Sequence, residues 1–210
     1  MKHDWKISEK TFYLPKEKPE LITIPEFRFF TIEGEGNPND PNFAEYIGVL
    51  YSLSYAVRMS PKKGLAPTGY FDYSVYPLEG VWDINDEAKK RFSGVINKND
   101  LVFKLMIRQP DFVDEAYAQQ IIEATKAKKP HPLLDSVRFE RAEESACIQM
   151  LHKGSYDTEP ASFQQMEAFA TDQNLTRKSK IHREIYLSDA RKTAPEKLKT
   201  VLRFQVEKDY

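Results

Sequence analysis

Two stretches decide how this chain folds: His152-Lys153-Gly154-Ser155-Tyr156-Asp157 and, one helix further on, Arg183-Glu184-Ile185-Tyr186-Leu187. The first follows an apolar run at residues 146–151. After it, from about 160 to 174, Phe163, Met166, Phe169 and Ala170 recur at the spacing of one helix face. Gly154 permits the unusual backbone angle of a turn, Asp157 or Thr158 can cap the helix, and Pro160 suits its first turn. The second stretch alternates with a period of two, Ile185 and Leu187 on one face and Glu184 and Tyr186 on the other, as a strand does. Another apolar run at 200–206 closes the pattern, so the second half reads β-α-β-β.

The first half has the same order. Residues 21–34 read as one strand ending at the turn Gly34-Glu35-Gly36-Asn37-Pro38. Gly-x-Gly here lacks the third glycine of a dinucleotide fingerprint, and no Gly-Lys-Ser/Thr follows, so a plain turn is the better reading. From Asn42 to about Met59, Phe43, Tyr46, Ile47, Leu50, Leu53 and Val57 mark an amphipathic helix stopped before Pro61, with Tyr51 and Tyr55 on its flank. Strand-like runs follow at 70–78 and 101–108. A helix over 111–129 connects the halves, which gives a first unit at about 21–109 and a second at about 139–207. The expected class is α+β, with two pseudo-symmetric β-α-β-β units forming a concave saddle and a ligand groove between them.

Composition narrows the functions. The 210 residues carry 31 Lys+Arg against 32 Asp+Glu, a net charge of −1, so no chain-wide positive field exists to hold a phosphate backbone. The basic clusters Lys62-Lys63, 126–129 and 177–180 are short and sit near element ends, as solvated surface does. Direct nucleic-acid binding is not expected. No apolar run reaches the ~18 residues of a membrane span, and no secretory leader is evident, so a cytoplasmic protein with no membrane contact is expected. The single cysteine, Cys147, rules out an intramolecular disulfide and sits in an apolar run as a packing residue. His131, His152 and His182 lack metal-ligand spacing, so neither a metal nor another cofactor is expected. Thirteen Phe, 11 Tyr and 2 Trp suit a cleft for flat organic ligands.

Glu184 is the first candidate for chemistry. With Ile185 and Leu187 beneath the Phe163/Met166 helix, its carboxyl would face the space between the halves. Burial there demands a cationic or hydrogen-bonding partner and would raise its pKa toward that of a general base or acid. Tyr186 shares its face, and His152 and Tyr156 project from the loop before the helix. His152 serves either as a structural hydrogen-bonder or in catalysis. Trp82, which follows the run carrying Tyr70 and Tyr73, either floors a cleft or fills the core. No Gly-x-Ser-x-Gly elbow occurs.

In their order along the chain these segments resemble the GyrI-like small-molecule-binding family. The quoted loop and the Glu184 strand carry the likeness, and Pro25-Glu26-Phe27-Arg28, Gly34-Glu35-Gly36 and residues 76–82 resemble its stand-alone bacterial branch. The resemblance implies a binder of flat aromatic or cationic compounds, with Glu184, Tyr186, Tyr156 and Trp82 at the cleft. Some members of that branch hydrolyse cyclopropane-bearing DNA-alkylating toxins, and the resemblance implies the same chemistry here. By that likeness Glu184 would activate water and Tyr186 or Tyr156 would donate to the developing oxyanion. Trp82, Tyr51, Tyr55, Tyr70 and His152 would line the ligand. The family also implies two alternatives, a non-catalytic multidrug-binding sensor and a protein that interacts with gyrase.

Overall fold

A computed structural model describes residues 2–208. In chain order the elements are α1 (Trp5–Ser8), α2 (Lys10–Tyr13), β1 (Glu20–Ile24), β2 (Phe27–Glu35), α3 (Phe43–Arg58), β3 (Leu78–Ile84), α4 (Asp86–Lys90), β4 (Leu101–Gln109) and α5 (Glu115–Lys128). There follow β5 (Arg138–Ala142), β6 (Ser145–Lys153), α6 (Glu159–Asp172), β7 (Leu175–Arg177), β8 (His182–Tyr186) and β9 (Lys199–Lys208). The class is α+β. The chain divides into two compact units, one of Phe27–Ala142 with His3, the other of Asp4–Glu26 with the chain from Glu143 onward.

Within each unit the sheet is antiparallel. The first runs β3-β4-β2-β5; the second runs β8-β9-β6-β1, with β7 on the far end of β9. Both therefore order their β-α-β-β strands second, third, first, and border the first strand with one more. That border strand is β5 in the first unit and β1, from the start of the chain, in the second. The single strand expected over 21–34 is in fact two. Pro25 has no N–H for a ladder, so the strand breaks there; β1 pairs with β6 (Glu20 opposite Gln149), and β2 pairs with β4 and β5.

Helix α3 covers the first sheet with Leu50, Leu53 and Val57, as its spacing predicts, and with Val49 beside them. The strand expected at 70–78 instead begins at Leu78. Residues 70–77 are irregular but for one bridge between Tyr73 and His3, where His3 N–H meets Asp72 C=O at 2.8 Å and Ser74 N–H meets His3 C=O at 2.8 Å. Burial of Tyr73 and Tyr76 holds this segment, and the alternation of Phe71, Tyr73 and Val75 in the sequence imitates a strand without forming a ladder. Helix α5 starts at Glu115, where the Asp114 carboxylate accepts from the Tyr117 N–H at 2.8 Å, and it buries Tyr117, Ala118, Ile121 and Ile122.

The second unit has two different faces. Against α6 lies an apolar cluster of Ile148, Met150, Met166, Ala170, Leu202, Phe204 and Val206. On the other face Arg203 is buried, and its charge is met by Phe12 C=O (2.6 Å), Gln149 Oε1 (2.8 Å) and Glu144 Oε2 (3.4 Å). Gln149 in turn donates to Thr11 C=O and Glu20, both at 2.8 Å. A buried guanidinium needs this full set of acceptors, and the N-terminal segment supplies part of it.

Gly34, expected in a turn, lies inside β2. A Cβ there would stand 2.5 Å from the Phe103 ring and 3.0 Å from Tyr46. Phe103 cannot swing away, because Phe43, Tyr46 and Trp82 pack around it. Gly34→Ala should therefore cost about 1–3 kcal/mol of stability, the usual range for overpacking, and chemical denaturation will measure it.

Candidate carboxyl-pair site

The site is built on α6 and β8 of the second unit. The loop from β6 to α6 is held from below by His152, which is buried. Its Nε2 lies 3.1 Å from Ser155 C=O and 3.2 Å from Thr158 Oγ1, and its Nδ1 lies 2.9 Å from Ser162 Oγ. A carbonyl only accepts, so Nε2 carries the proton, and in the neutral ring Ser162 donates to Nδ1. Gly154 adopts φ 133°, and a Cβ there would meet Thr158 Oγ1 at 2.9 Å. All three partners of His152 belong to this loop and to the first turn of α6. The ring thus holds the helix start in place.

That placement brings the first residue of α6, Glu159, against β8. Register shows which way β8 faces. Glu184 lies opposite Leu202, which is part of the cluster under α6, whereas Ile185 lies opposite Val201. Glu184, with His182 and Tyr186, is therefore on the helix side, and Ile185 is on the other, the reverse of the expected arrangement. Alternation distinguishes two faces but does not say which one a helix covers, and here Arg183, Glu184 and Ile185 are all buried.

Glu159 is 6% exposed and Glu184 8%. Their carboxyls are within hydrogen-bonding reach of each other, and Glu159 Oε1 has no hydrogen-bond partner. Burial, then the nearby Glu184 charge and its hydrogen bond, push the Glu159 carboxyl far above the ordinary carboxylate range. The helix N-terminus favours the anion but does not outweigh this. On the other side of Glu184, His182 Nε2 lies 3.1 Å from Glu184 Oε1 and Nδ1 lies 3.3 Å from Lys180 C=O, with the ring edge-on to Phe163 at 4.7 Å. Tyr156 is 39% exposed and meets Tyr186 edge-on at 6.1 Å. Burial and the charges of Glu184, Glu159 and Asp189 push its phenol up to about 12, so it stays an O–H donor at neutral pH.

Of the residues singled out in the sequence, Glu184, Tyr156 and Tyr186 come together here, and His152 supports them. Glu159 and His182 complete the set. Glu159 gives no functional signal in the sequence, because an acidic residue at a helix start looks like ordinary helix-dipole complementarity, and His182 is weighed there only as a metal ligand. In the first unit, Trp82 is 6% exposed beneath α3, against Phe43 (6.0 Å) and Phe103 (5.4 Å). Tyr51 and Tyr55 pair along α3 at 6.3 Å, with Tyr55 48% exposed. Tyr70 donates to Arg58 C=O at 2.7 Å and packs on Phe112. Among the described residues no group of three or more His, Cys, Asp or Glu is arranged to hold a metal, and no helix is long and apolar enough to cross a membrane.

A doubled β-α-β-β chain with a sequestered carboxyl pair beside tyrosines has the makings of a small-molecule binder. The chain belongs to the GyrI-like family: the model of the GyrI-like small molecule binding domain matches residues 17–207. The chain is similar to a hydrolase from Listeria innocua, at 34% identity over 98% of this chain and 100% of that one, with a TM-score of 0.88. A second structure, also of a Listeria innocua hydrolase, is 35% identical over 99% and 100%, with a TM-score of 0.89. The C-terminal domain of EcmrR, 16% identical over 91% and 98% with a TM-score of 0.52, shares the fold alone. No curated protein matches the sequence.

The raised Glu159 carboxyl makes stability depend on pH. Below the ordinary glutamate value of 4.5, folded and unfolded chains both hold this proton. Above it the unfolded chain releases the proton and the folded chain keeps it, so stability falls as pH rises. Glu159→Gln removes that loss. The variant should melt at the same temperature as the wild type near pH 4 and several degrees higher at pH 8, as thermal scans will show.

Proposed function

We propose that this protein binds flat aromatic or cationic small molecules at the Glu184 cluster and hydrolyses strained, electrophilic rings of the cyclopropanoid type. The observation that carries this reading is the pairing of the buried Glu159 and Glu184 carboxyls next to two tyrosines. The likeness to hydrolases at 34–35% identity over nearly the whole chain supports it. A sheltered carboxylate serves both readings, since it attracts a cation and can take a proton from water.

In the proposed reaction, water attacks a cyclopropane carbon, and the new C–O bond forms as a ring C–C bond breaks. The released electron pair moves through the conjugated system onto a carbonyl oxygen. Glu184 accepts the proton that water loses. Tyr156, with Tyr186 beside it, donates a hydrogen bond to the oxygen as it gains charge, and that oxygen finally takes a proton, which balances the one lost by water. The Tyr51–Tyr55 pair of the first unit, in which Tyr55 is exposed and Tyr51 half-buried, is proposed as an additional ring surface for flat compounds.

The test is turnover of a cyclopropane-conjugated dienone, followed by mass spectrometry as a gain of one water. Glu184→Gln should lower kcat by about 100-fold or more while the ligand still binds, because the lost group acts as the base. Turnover that survives this substitution overturns the hydrolytic mechanism. Saturable binding without any product from the wild type would favour a holding or sensing role.

A further inference from the structure

We infer that Glu159 and Glu184 form a proton-for-cation exchange site, in which a bound organic monocation takes the place of the single proton that the two carboxyls share. This rests on the reading of the Glu184 cluster as the ligand site and adds to it a second residue, Glu159, that sets which ligands bind and at what pH.

The contacts fix a proton inventory. Lys180 C=O can only accept, so His182 Nδ1 must carry a proton to bond with it at 3.3 Å. Glu184 Oε1 lies 3.1 Å from His182 Nε2, which calls for a second proton there. The reach between the two carboxyls calls for a third. Three protons shared by one imidazole and two carboxyls give the cluster a net charge of zero, whichever atoms hold them.

A neutral cluster gives an incoming cation little net attraction. Glu159 Oε1, however, is buried with no hydrogen-bond partner, so the cluster retains acceptor capacity that no protein group fills. Once the proton between the carboxyls leaves, the cluster carries −1 and matches a monocation. In a sequestered site the two states compete for the same oxygens, and the cation and the proton exclude each other. The other ionisable groups around the pair are Asp157 and Tyr156 before α6, and Asp189 beyond β8. Asp157 adds negative potential, which favours either cation alike, and Asp189, nearer Tyr156, is ion-paired with Arg191 at 2.9 Å, so both leave the exchange in place. Tyr156 stays neutral throughout. A neutral aromatic ligand displaces no proton.

Isothermal titration of the full-length protein with ethidium, a fixed cation, tests this. Titrations run in phosphate and in Tris, whose ionisation enthalpies differ, so the buffer-dependent heat counts protons. Phenazine is the uncharged comparator. Wild type should release close to one proton per ethidium near pH 7, and affinity should rise about tenfold per pH unit between pH 6 and 8, with phenazine flat. Glu159→Gln should abolish the release and flatten the profile, whereas Glu159→Asp should restore both. Ethidium binding without proton release overturns the exchange and leaves the ligand site standing. Release that persists in Glu159→Gln also overturns it and assigns the proton to His182. Phenazine binding without ethidium binding overturns cation recognition. Failure of both ligands to bind removes the underlying ligand site as well.

Discussion

The seating of α6 on its sheet is the constraint from which the rest of the site follows. Ile148, Met150, Leu202 and Phe204 below, with Met166 and Ala170 above, fix the helix over β6 and β9. His152 then holds the loop that begins it, through Ser155, Thr158 and Ser162. With both ends of that segment set, Glu159 has nowhere to go but against Glu184. Two carboxyls at such a distance cannot both ionise out of reach of water, so one keeps its proton, and packing thereby dictates a protonation state. The apolar cluster therefore holds the helix close enough to force an unfavourable neighbour on Glu184, which the isolated strand would never meet.

The first unit shows what this contact does when nothing chemical is asked of it. There too the first residue of the long helix, Phe43, touches the second strand of the unit at Trp82, and Phe103 fills the space beside them. Tyr46 closes the group, and Gly34 lacks a side chain because the Phe103 ring occupies its place. One repeat plugs the position with rings. The other fills it with Glu159, Glu184 and His182, and retains only Phe163 as the ring against which His182 packs. The same architecture therefore supports a dry aromatic plug in one copy and a polar cluster in the other. The two clusters differ in residue type, while the strand order around them is the same.

Much of the fold was readable in the sequence because its signals are periodic. The spacing of Leu50, Leu53 and Val57 predicts α3 to within a residue, and the run at 101–108 predicts β4. What was not readable depended on long-range pairing. Pro25 separates β1 from β2, but nothing local says that β1 will lie beside β6 some 120 residues later. Phe71, Tyr73 and Val75 alternate like a strand, yet their segment is held by ring packing and by His3 rather than by a ladder. For β8, the alternation correctly separated Glu184 from Ile185, and hydrophobicity then suggested that the apolar side faced the helix. That inference fails where both faces are buried, because the polar side can be enclosed if its groups satisfy one another. Glu159 illustrates the limit most clearly. Its local setting, an acid before a proline at a helix start, is explained by capping and dipole effects alone, and only the approach of β8 gives it another role.

A base that activates water and a counter-charge that holds a cation are usually alternative uses of one carboxylate. The arrangement around Glu184 reconciles them. A lone buried carboxylate would be strongly basic but costly to keep ionised, and it would bind any cation it met. Flanked by Glu159 and His182, the charge of Glu184 is balanced in the resting protein, so the fold tolerates it and indiscriminate cations gain little. The same neighbours make proton movement easy, since each hydrogen bond in the chain from Glu159 through Glu184 to His182 already points along a transfer path. Tyr156, with its phenol held in the protonated form, can answer negative charge on a ligand oxygen while Glu184 answers positive charge or an acidic O–H. A site equipped in this way is selective through its protons. On the proposed reading it accepts a ligand that brings charge only by giving up a proton, and it acts on an uncharged electrophile only if water reaches Glu184 while the pair still holds one.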